Sequence, residues 1–178
     1  MTVGVVLAGG TGRRMGGDKA LVALHGRPLL QYPVDALREV TDRVAVVCKQ
    51  DTKLPLLPPD VEIWCEEDPR HHPLVGVTAA LQRASGADVL VCAGDMPHVT
   101  PEVLRALLDA PAGLAAVARA AGRLQPLLAR YAPAALPVFE AMDPDEPATR
   151  VVERLDPVLV DVAERAVLNV NAPEDLLR

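Results

Sequence analysis

The amino-acid sequence predicts a single-domain, three-layer α/β/α fold, with helices on both faces of a mostly parallel sheet. Short apolar runs alternate with amphipathic segments through the first half of the chain, the pattern of successive βαβ units. Runs such as Val3–Leu7 and Val89–Ala93 are continuously apolar, as strands buried on both faces must be. The 178 residues suit one ordinary domain over 1–178, and no linker, internal repeat or low-complexity tract divides them.

Val3–Leu7 reads as the first strand. Arg27–Val40 reads as a helix, with Pro28 in its first turn and Leu29, Leu30, Val34, Leu37 and Val40 as its apolar stripe. Val44–Cys48 is the second strand, Leu54–Pro59 a proline-rich turn and Val61–Cys65 the third strand. Pro73–Ala84 is a helix opened by proline, and Val89–Ala93 is the fourth strand. Thr100 is placed to cap a helix with Pro101 at its first position and a stripe of Val103, Leu104, Leu107 and Leu108. In the second half, Leu114–Arg119 and Leu124–Tyr131 read as strands paired around Gly122. Pro133–Met142 and Thr149–Leu155 read as helices, and Val158–Val162 as a short strand. The tail "NVNAPEDLL" reads as a helix start, with Asn171 as cap and Glu174 at the capping-box spacing. With one Trp, two Tyr and one Phe, the core must be aliphatic.

A net charge of −6 argues against nucleic-acid binding, so an anionic ligand must be met by a local basic cluster. The three cysteines, Cys48, Cys65 and Cys92, form no CxxC and lie in apolar runs. They read as buried reduced thiols of a cytosolic protein, with a catalytic thiol as the remote alternative. The N-terminus lacks the basic region of a signal peptide, and no stretch approaches the roughly 20 apolar residues of a membrane span. A cytoplasmic location and no membrane partner are expected.

The densest basic cluster is "LAGGTGRRMGGDK" at 7–19, directly after the first strand. Its glycines let backbone N–H groups approach a ligand, and Arg13, Arg14 and Lys19 add positive charge. In a doubly wound sheet this loop lies at the ligand-binding edge. The pattern points to the phosphates of a nucleotide. It is not a P-loop, because Lys19 lies between Asp18 and Ala20 and not in Gly-Lys-Ser/Thr. It is not a dinucleotide fingerprint, because Met15 stands where the third glycine is needed.

The pattern L-A-G-G-x-x-x-R-M-G-x-D-K resembles the signature of the small α/β nucleotidyltransferases, and within them the molybdenum cofactor guanylyltransferases. Gly9-Gly10 stands where related cytidylyltransferases usually carry Ala-Gly. "HGRPLL" at 25–30, "HPLVGV" at 72–77, "AGDMPHVTPEVL" at 93–104, "GRLQPLLARY" at 122–131 and "NVNAPEDL" at 169–176 resemble further family segments in the same order. His72 replaces a glycine, Gly94 stands where cysteine is common, and Cys48 or Lys49 takes the place of a frequent asparagine. The resemblance implies a Rossmann-like, nucleotidyltransferase-type fold, with nucleotide binding in the N-terminal half and acceptor binding in the C-terminal half. It implies transfer of GMP from GTP to molybdopterin or Mo-molybdopterin, with Mg²⁺ as cofactor. Contacts with other cofactor-biosynthesis proteins or recipient molybdoenzymes follow from it.

Residue by residue, the resemblance assigns Leu7, Ala8, Gly9 and Gly10 to base and ribose through their backbone. Arg14, Lys19 and Asp95 are the catalytic candidates, with Arg13 and Lys19 at the phosphates. A solvated basic turn is an equal alternative for Arg13. Asp18 either orients Lys19 or is a plain surface acid. Asp95 follows the fourth strand and is the Mg²⁺ candidate, with a turn-forming aspartate as the rival. Asp68 corresponds to a base- or ribose-contacting acid, with Glu67 as the alternative. Gln125, Pro126, Asn169 and Asn171 are placed on the acceptor side, where Asn171 reads equally as a helix cap. His71 and His72 are adjacent and poorly disposed to chelate one ion, so they read as a solvated loop. The alternatives are a cytidylyl- or sugar-phosphate nucleotidyltransferase of the same fold, or a nucleotide-binding subunit without catalysis.

Overall fold

A strand in the middle of a parallel sheet has both faces covered, so it must be apolar throughout. Thr2–Leu7 meets that demand: it forms β1 inside a seven-stranded sheet, and every residue from Val3 to Leu7 is buried. The computed structural model describes residues 1–8, 19–68, 70 and 72–170. A hairpin of β2 (Ala23–Leu24) and β3 (Arg27–Pro28) leads into α1 (Gln31–Arg38). Then come β4 (Arg43–Lys49), β5 (Val61–Glu66), α2 (Val75–Arg83), β6 (Asp88–Ala93) and α3 (Pro101–Leu108). The remainder supplies β7 (Ala115–Ala120), β8 (Arg123–Tyr131), α4 (Leu136–Glu140), α5 (Ala148–Glu153) and β9 (Val158–Asp161).

The strand order is β5-β4-β1-β6-β8-β7-β9, and β8 alone runs against its neighbours. The chain builds β4 and β5 on one side of β1, then crosses through α2 to lay β6 on the other side. This reversal makes a topological switch point between β1 and β6, with a crevice at their carboxyl ends. One face of the sheet packs Val6 and Val46 against Val34 and Leu37 of α1 and Leu104 and Leu107 of α3. The opposite face packs Val3 and Val5 against Val77 and Leu81 of α2, Phe139 of α4 and Val151 of α5. Tyr131 and Phe139 meet edge-to-face there, ring centroids 5.0 Å apart.

The first helix is shorter than the sequence pattern predicts. Arg27 and Pro28 pair with Leu24 and Ala23, and helix begins only at Gln31. The reason is the two-residue turn His25–Gly26, with φ of 50° and 78°, which closes a hairpin in the mirror-type geometry that matches strand twist. The same device, Ala121–Gly122 with φ of 47° and 74°, joins β7 to β8 where paired strands are expected. Thr100 stands at the N-cap of α3 in extended conformation, but its side chain makes no cap bond; its hydroxyl serves the Glu102 carboxylate instead. The predicted helix over Pro133–Met142 is a 3-10 turn, Pro133–Ala135, running into α4. The tail helix, with Asn171, lies outside the described residues.

Gly4 is a point of close approach between β1 and the end of α1 with the turn that follows it. A Cβ at Gly4 would stand 2.7 Å from Thr41 Oγ1 and 3.1 Å from Leu37 Cβ. Thr41 cannot easily yield, because its hydroxyl bridges the carbonyls of Leu37 and Arg43 at 2.9 and 3.1 Å. Gly4→Ala is expected to cost about 1–3 kcal/mol through overpacking. Differential scanning calorimetry should therefore record a melting temperature several degrees lower; an unchanged melt would mean that α1 shifts freely.

Candidate active site at the carboxyl edge of the sheet

The ends of β1 and β6 are joined beyond their ladder. Gly94 N–H donates to the Leu7 carbonyl at 3.0 Å, and Ala8 N–H donates to Val47 O at 2.8 Å. Glycine at 94 has a steric reason. A Cβ there would lie 2.8 Å from Leu30 Cδ1 and 3.1 Å from the Leu7 carbonyl oxygen. The next residue, Asp95, is thereby set beside the end of β1, where the glycine-rich segment departs. The Asp95 backbone carbonyl accepts Val170 N–H at 2.9 Å, and the Val170 side chain is buried with Leu24 and Leu29 of the hairpin region. Asn169, exposed, is brought to the Asp95 side of the crevice by this contact.

Two strands away, charge is concentrated at the ends of β4 and β5. Lys49 and Glu66 are register partners and form an ion pair, with only 6% of the Glu66 side chain exposed. Glu66 Oε2 also accepts the Asp68 N–H at 3.2 Å, while Lys49 Nζ donates to the Asp68 carbonyl at 2.5 Å. The backbone is thus held on both sides of the Asp68 Cα. The Asp68 carboxylate takes a two-pronged contact from Arg70, Nε at 2.9–3.0 Å and Nη2 at 2.6 Å, plus the Arg70 N–H at 2.9 Å. Arg70's hydrogen bonds hold the Asp68 carboxyl below the usual carboxylate range, against the opposing effect of partial burial. A cleft of about 320 Å³ adjoins this cluster, lined by Glu67, Asp68, Arg70, Gln82 and Glu140 among others. Sequence reasoning noticed Lys49 only as a departure and missed Glu66 and Arg70. The alternation of β5 could have flagged Glu66, which falls on the same covered face as Trp64.

On the other side of β6, Gln125 pairs with Ala118 next to an irregularity in the β7–β8 register. Tyr131 Oη donates to the Pro126 carbonyl at 2.7 Å and fixes that irregular stretch. Because β7 runs in the same direction as β6, Gln125 lies toward the ligand edge of the sheet. His72 corrects the expectation of a solvated loop: it is buried. Leu74 N–H donates to its Nδ1 at 3.1 Å, so Nε2 carries the proton and donates to Glu146 O at 2.8 Å. It ties the start of α2 to the 143–147 turn, with both ring nitrogens engaged in hydrogen bonds. Cys48 and Cys92 are buried and Cys65 is half-buried. Burial, with Cys65 alongside, pushes the Cys48 thiol up to about 11, and burial raises Cys92 too, so neither is a ready nucleophile. Gly9, Gly10, Arg13, Arg14, Asp18, His71 and Asn171 lie outside the described residues, as does the Lys19 side chain. Among the described residues no helix is long and apolar enough to cross a membrane.

The family model described as a MobA-like NTP transferase domain matches residues 4–158, from β1 through the start of β9. The chain belongs to that family of nucleotidyltransferases. A molybdenum cofactor guanylyltransferase from Cereibacter sphaeroides is 38% identical, the match covering 98% of this chain and 93% of that protein. The crystal structure of molybdopterin-guanine dinucleotide biosynthesis protein A from Archaeoglobus fulgidus superposes with a TM-score of 0.74 at 25% identity, covering 100% of this chain and 96% of that one. A 2-C-methyl-D-erythritol 4-phosphate cytidylyltransferase from Thermus thermophilus shares the fold, at 22% identity and a TM-score of 0.72, covering 99% and 96% of the two chains. The cytidylyl alternative is thus represented by a protein of the same architecture.

The Asp68–Arg70 pair gives a titration with a defined sign. A depressed carboxyl contributes stability above its unfolded value, about 3.9, and loses it as the pH falls through the lower folded value. In a ¹³C carboxyl titration Asp68 should have its midpoint below that of an ordinary aspartate, and Arg70→Ala should raise it. A midpoint indifferent to Arg70 would mean that the pair does not persist in solution.

Proposed function

We propose that this chain transfers GMP from GTP to a molybdopterin-type cofactor, making its guanine dinucleotide form and releasing pyrophosphate. The observation that carries the reading is the junction at Gly94, which sets Asp95 against the end of β1 in a chain of this family. An oxygen of the acceptor's phosphate attacks the α-phosphorus of GTP, and the bond from that phosphorus to the bridging oxygen of the β-phosphate breaks. Little covalent work falls to the protein, which must align the reactants and meet developing negative charge.

In this reading the backbone of Leu7, Ala8, Gly9 and Gly10 cradles base and ribose. Arg13, Arg14 and Lys19 neutralise the triphosphate, and Asp68 contacts the nucleoside. Arginine suits forked contact with phosphate oxygens, and lysine acts as a point charge. A single carboxylate at Asp95 is a hard oxygen donor, and it suits Mg²⁺, which is bound in such sites by one or two carboxylates together with phosphates and water. Mg²⁺ held there would polarise the phosphate oxygens. Gln125, beyond β6, and Asn169, beside Asp95, contact the acceptor, with Asn171 as a further acceptor-side residue. The N-terminal half then serves the nucleotide and the C-terminal half the acceptor, within one domain in the cytoplasm. Its product passes to recipient molybdoenzymes.

The deciding assay presents the protein with each of the four nucleoside triphosphates, Mg²⁺ and molybdopterin, and follows pyrophosphate release. GTP should be used in preference to the other three. Turnover with CTP equal to or better than with GTP would transfer the chain to the cytidylyl alternative, and no turnover with any would favour a binding subunit.

Asp95→Asn preserves shape and removes charge. The melting curve should stay near that of the unaltered protein, because the backbone contacts of residues 94 and 95 are kept. The rate should fall at least about 100-fold, because charge stabilisation by a metal is worth several kcal/mol. Retained Mg²⁺-dependent activity would move the metal role to another acid.

Lys19→Ala and Arg14→Ala should each weaken GTP binding or turnover by one to two orders of magnitude, since a charge-assisted contact contributes roughly 1.5–3 kcal/mol. Unchanged calorimetric affinity and rate in both variants would reduce the segment to a solvated turn.

A further inference from the structure

A carboxylate that holds an arginine fork is, chemically, a site for any planar group with two parallel N–H donors. Guanine has such an edge: N1–H and the exocyclic amine on C2 are the outer donors of a guanidine unit built into the ring. Arg70 presents Nε–H and Nη2–H to the Asp68 oxygens in that same two-donor arrangement, at 2.6–3.0 Å.

We propose that Arg70 is an internal stand-in for the purine: its fork occupies Asp68 in the free protein, and a guanine nucleotide binds by displacing it. The inference rests on the guanylyl reading above and adds to it the residue that sets the threshold for base choice.

Three features make the exchange workable. Asp68 does not depend on Arg70 for its place, because Glu66 accepts its N–H and Lys49 binds its carbonyl. That grip is anchored by a carboxylate buried at the end of β5, so the Asp68 backbone stays put when the Arg70 side chain leaves, and the Arg70 N–H still holds Oδ1. Arg70 itself is an exchangeable partner: it is two residues along the chain, and 28% of its side chain is exposed. The adjoining cleft carries Glu67 and Glu140, so a displaced guanidinium finds negative charge within its own wall.

The arrangement discriminates by what it excludes. Cytosine and adenine each present one acceptor and one donor on the corresponding edge. Either would set an acceptor against a carboxylate while giving up a two-donor fork. Neither can replace Arg70 without loss, so Asp68 stays closed to them. Hypoxanthine, with N1–H but no amine, replaces half of the fork.

The test is equilibrium binding by titration calorimetry of GTP, ITP, ATP and CTP to the full-length protein, to Arg70→Ala and to Arg70→Lys, with melting curves recorded for each. Removing a competing, part-exposed ion pair should tighten GTP by ~2–5-fold in Arg70→Ala. ITP should gain less, and ATP and CTP should gain nothing. Arg70→Lys keeps the charge without the fork, so its GTP affinity should fall between those of the other two proteins. GTP affinity that is unchanged or weaker in a well-folded Arg70→Ala would overturn the inference and place Arg70 among the groups that help hold the nucleotide. That outcome differs from a failure of the guanylyl reading, in which the unaltered protein would prefer CTP to GTP.

Discussion

The geometry of this site depends on one close contact, the approach of β6 to β1 at Gly94. A parallel sheet that reverses its strand order leaves a crevice between the two central strands, and something must fix how those strands end. Here the Gly94 N–H reaches the Leu7 carbonyl, in a space where a Cβ would meet both that oxygen and Leu30. Asp95 is the first residue beyond the contact. Its carbonyl then receives Val170, whose side chain packs with the β2–β3 hairpin region. Three segments remote in sequence thus converge on a short stretch of backbone, and each is positioned by the one before it.

A second organising feature lies at the edge of the sheet, and it is electrostatic. The ends of β4 and β5 carry Lys49 and Glu66 in register on a covered face. A buried charge is tolerated only when its partners satisfy it. Glu66 commits its oxygens to Lys49 and to the Asp68 N–H, so its burial fixes the start of the following loop. Lys49, which with Cys48 is one of the two residues that could stand in the place of a frequent asparagine, has a structural role here, because it holds the Asp68 carbonyl. The chain's acidic balance is consistent with this, because these cations are placed locally, against a carboxylate or a carbonyl.

Much of the architecture is legible in the residues. The apolar runs at β1, β4 and β6 declare interior parallel strands, because nothing but burial on both faces explains five successive aliphatic or small residues. The pairing of β7 with β8 is announced by Gly122 between two extended runs, and α3 by Thr100-Pro101. The β2–β3 hairpin is not legible in the same way. Helical periodicity at Leu29, Leu30, Val34 and Leu37 extends back over it, and only the left-handed backbone at His25 and Gly26 separates hairpin from helix. His72 is a similar case. Its neighbours read as polar loop, yet its ring is buried because the 143–147 turn folds over it from far along the chain.

The sequence by itself determined the sheet, the order of its layers and the family, since those follow from local hydrophobic periodicity and from motifs whose residues are adjacent. It also determined that Asp95 lies at a strand's carboxyl end. Tertiary structure alone decided which side chains face one another there. Glu66 meets Lys49 only through strand register, and Gln125 is aimed only by the irregularity that Tyr131 fixes. Asp95 meets Val170 only because the C-terminal segment packs beside the hairpin region. These contacts join positions distant in the chain, and their energies depend on burial and approach, which one-dimensional spacing does not encode.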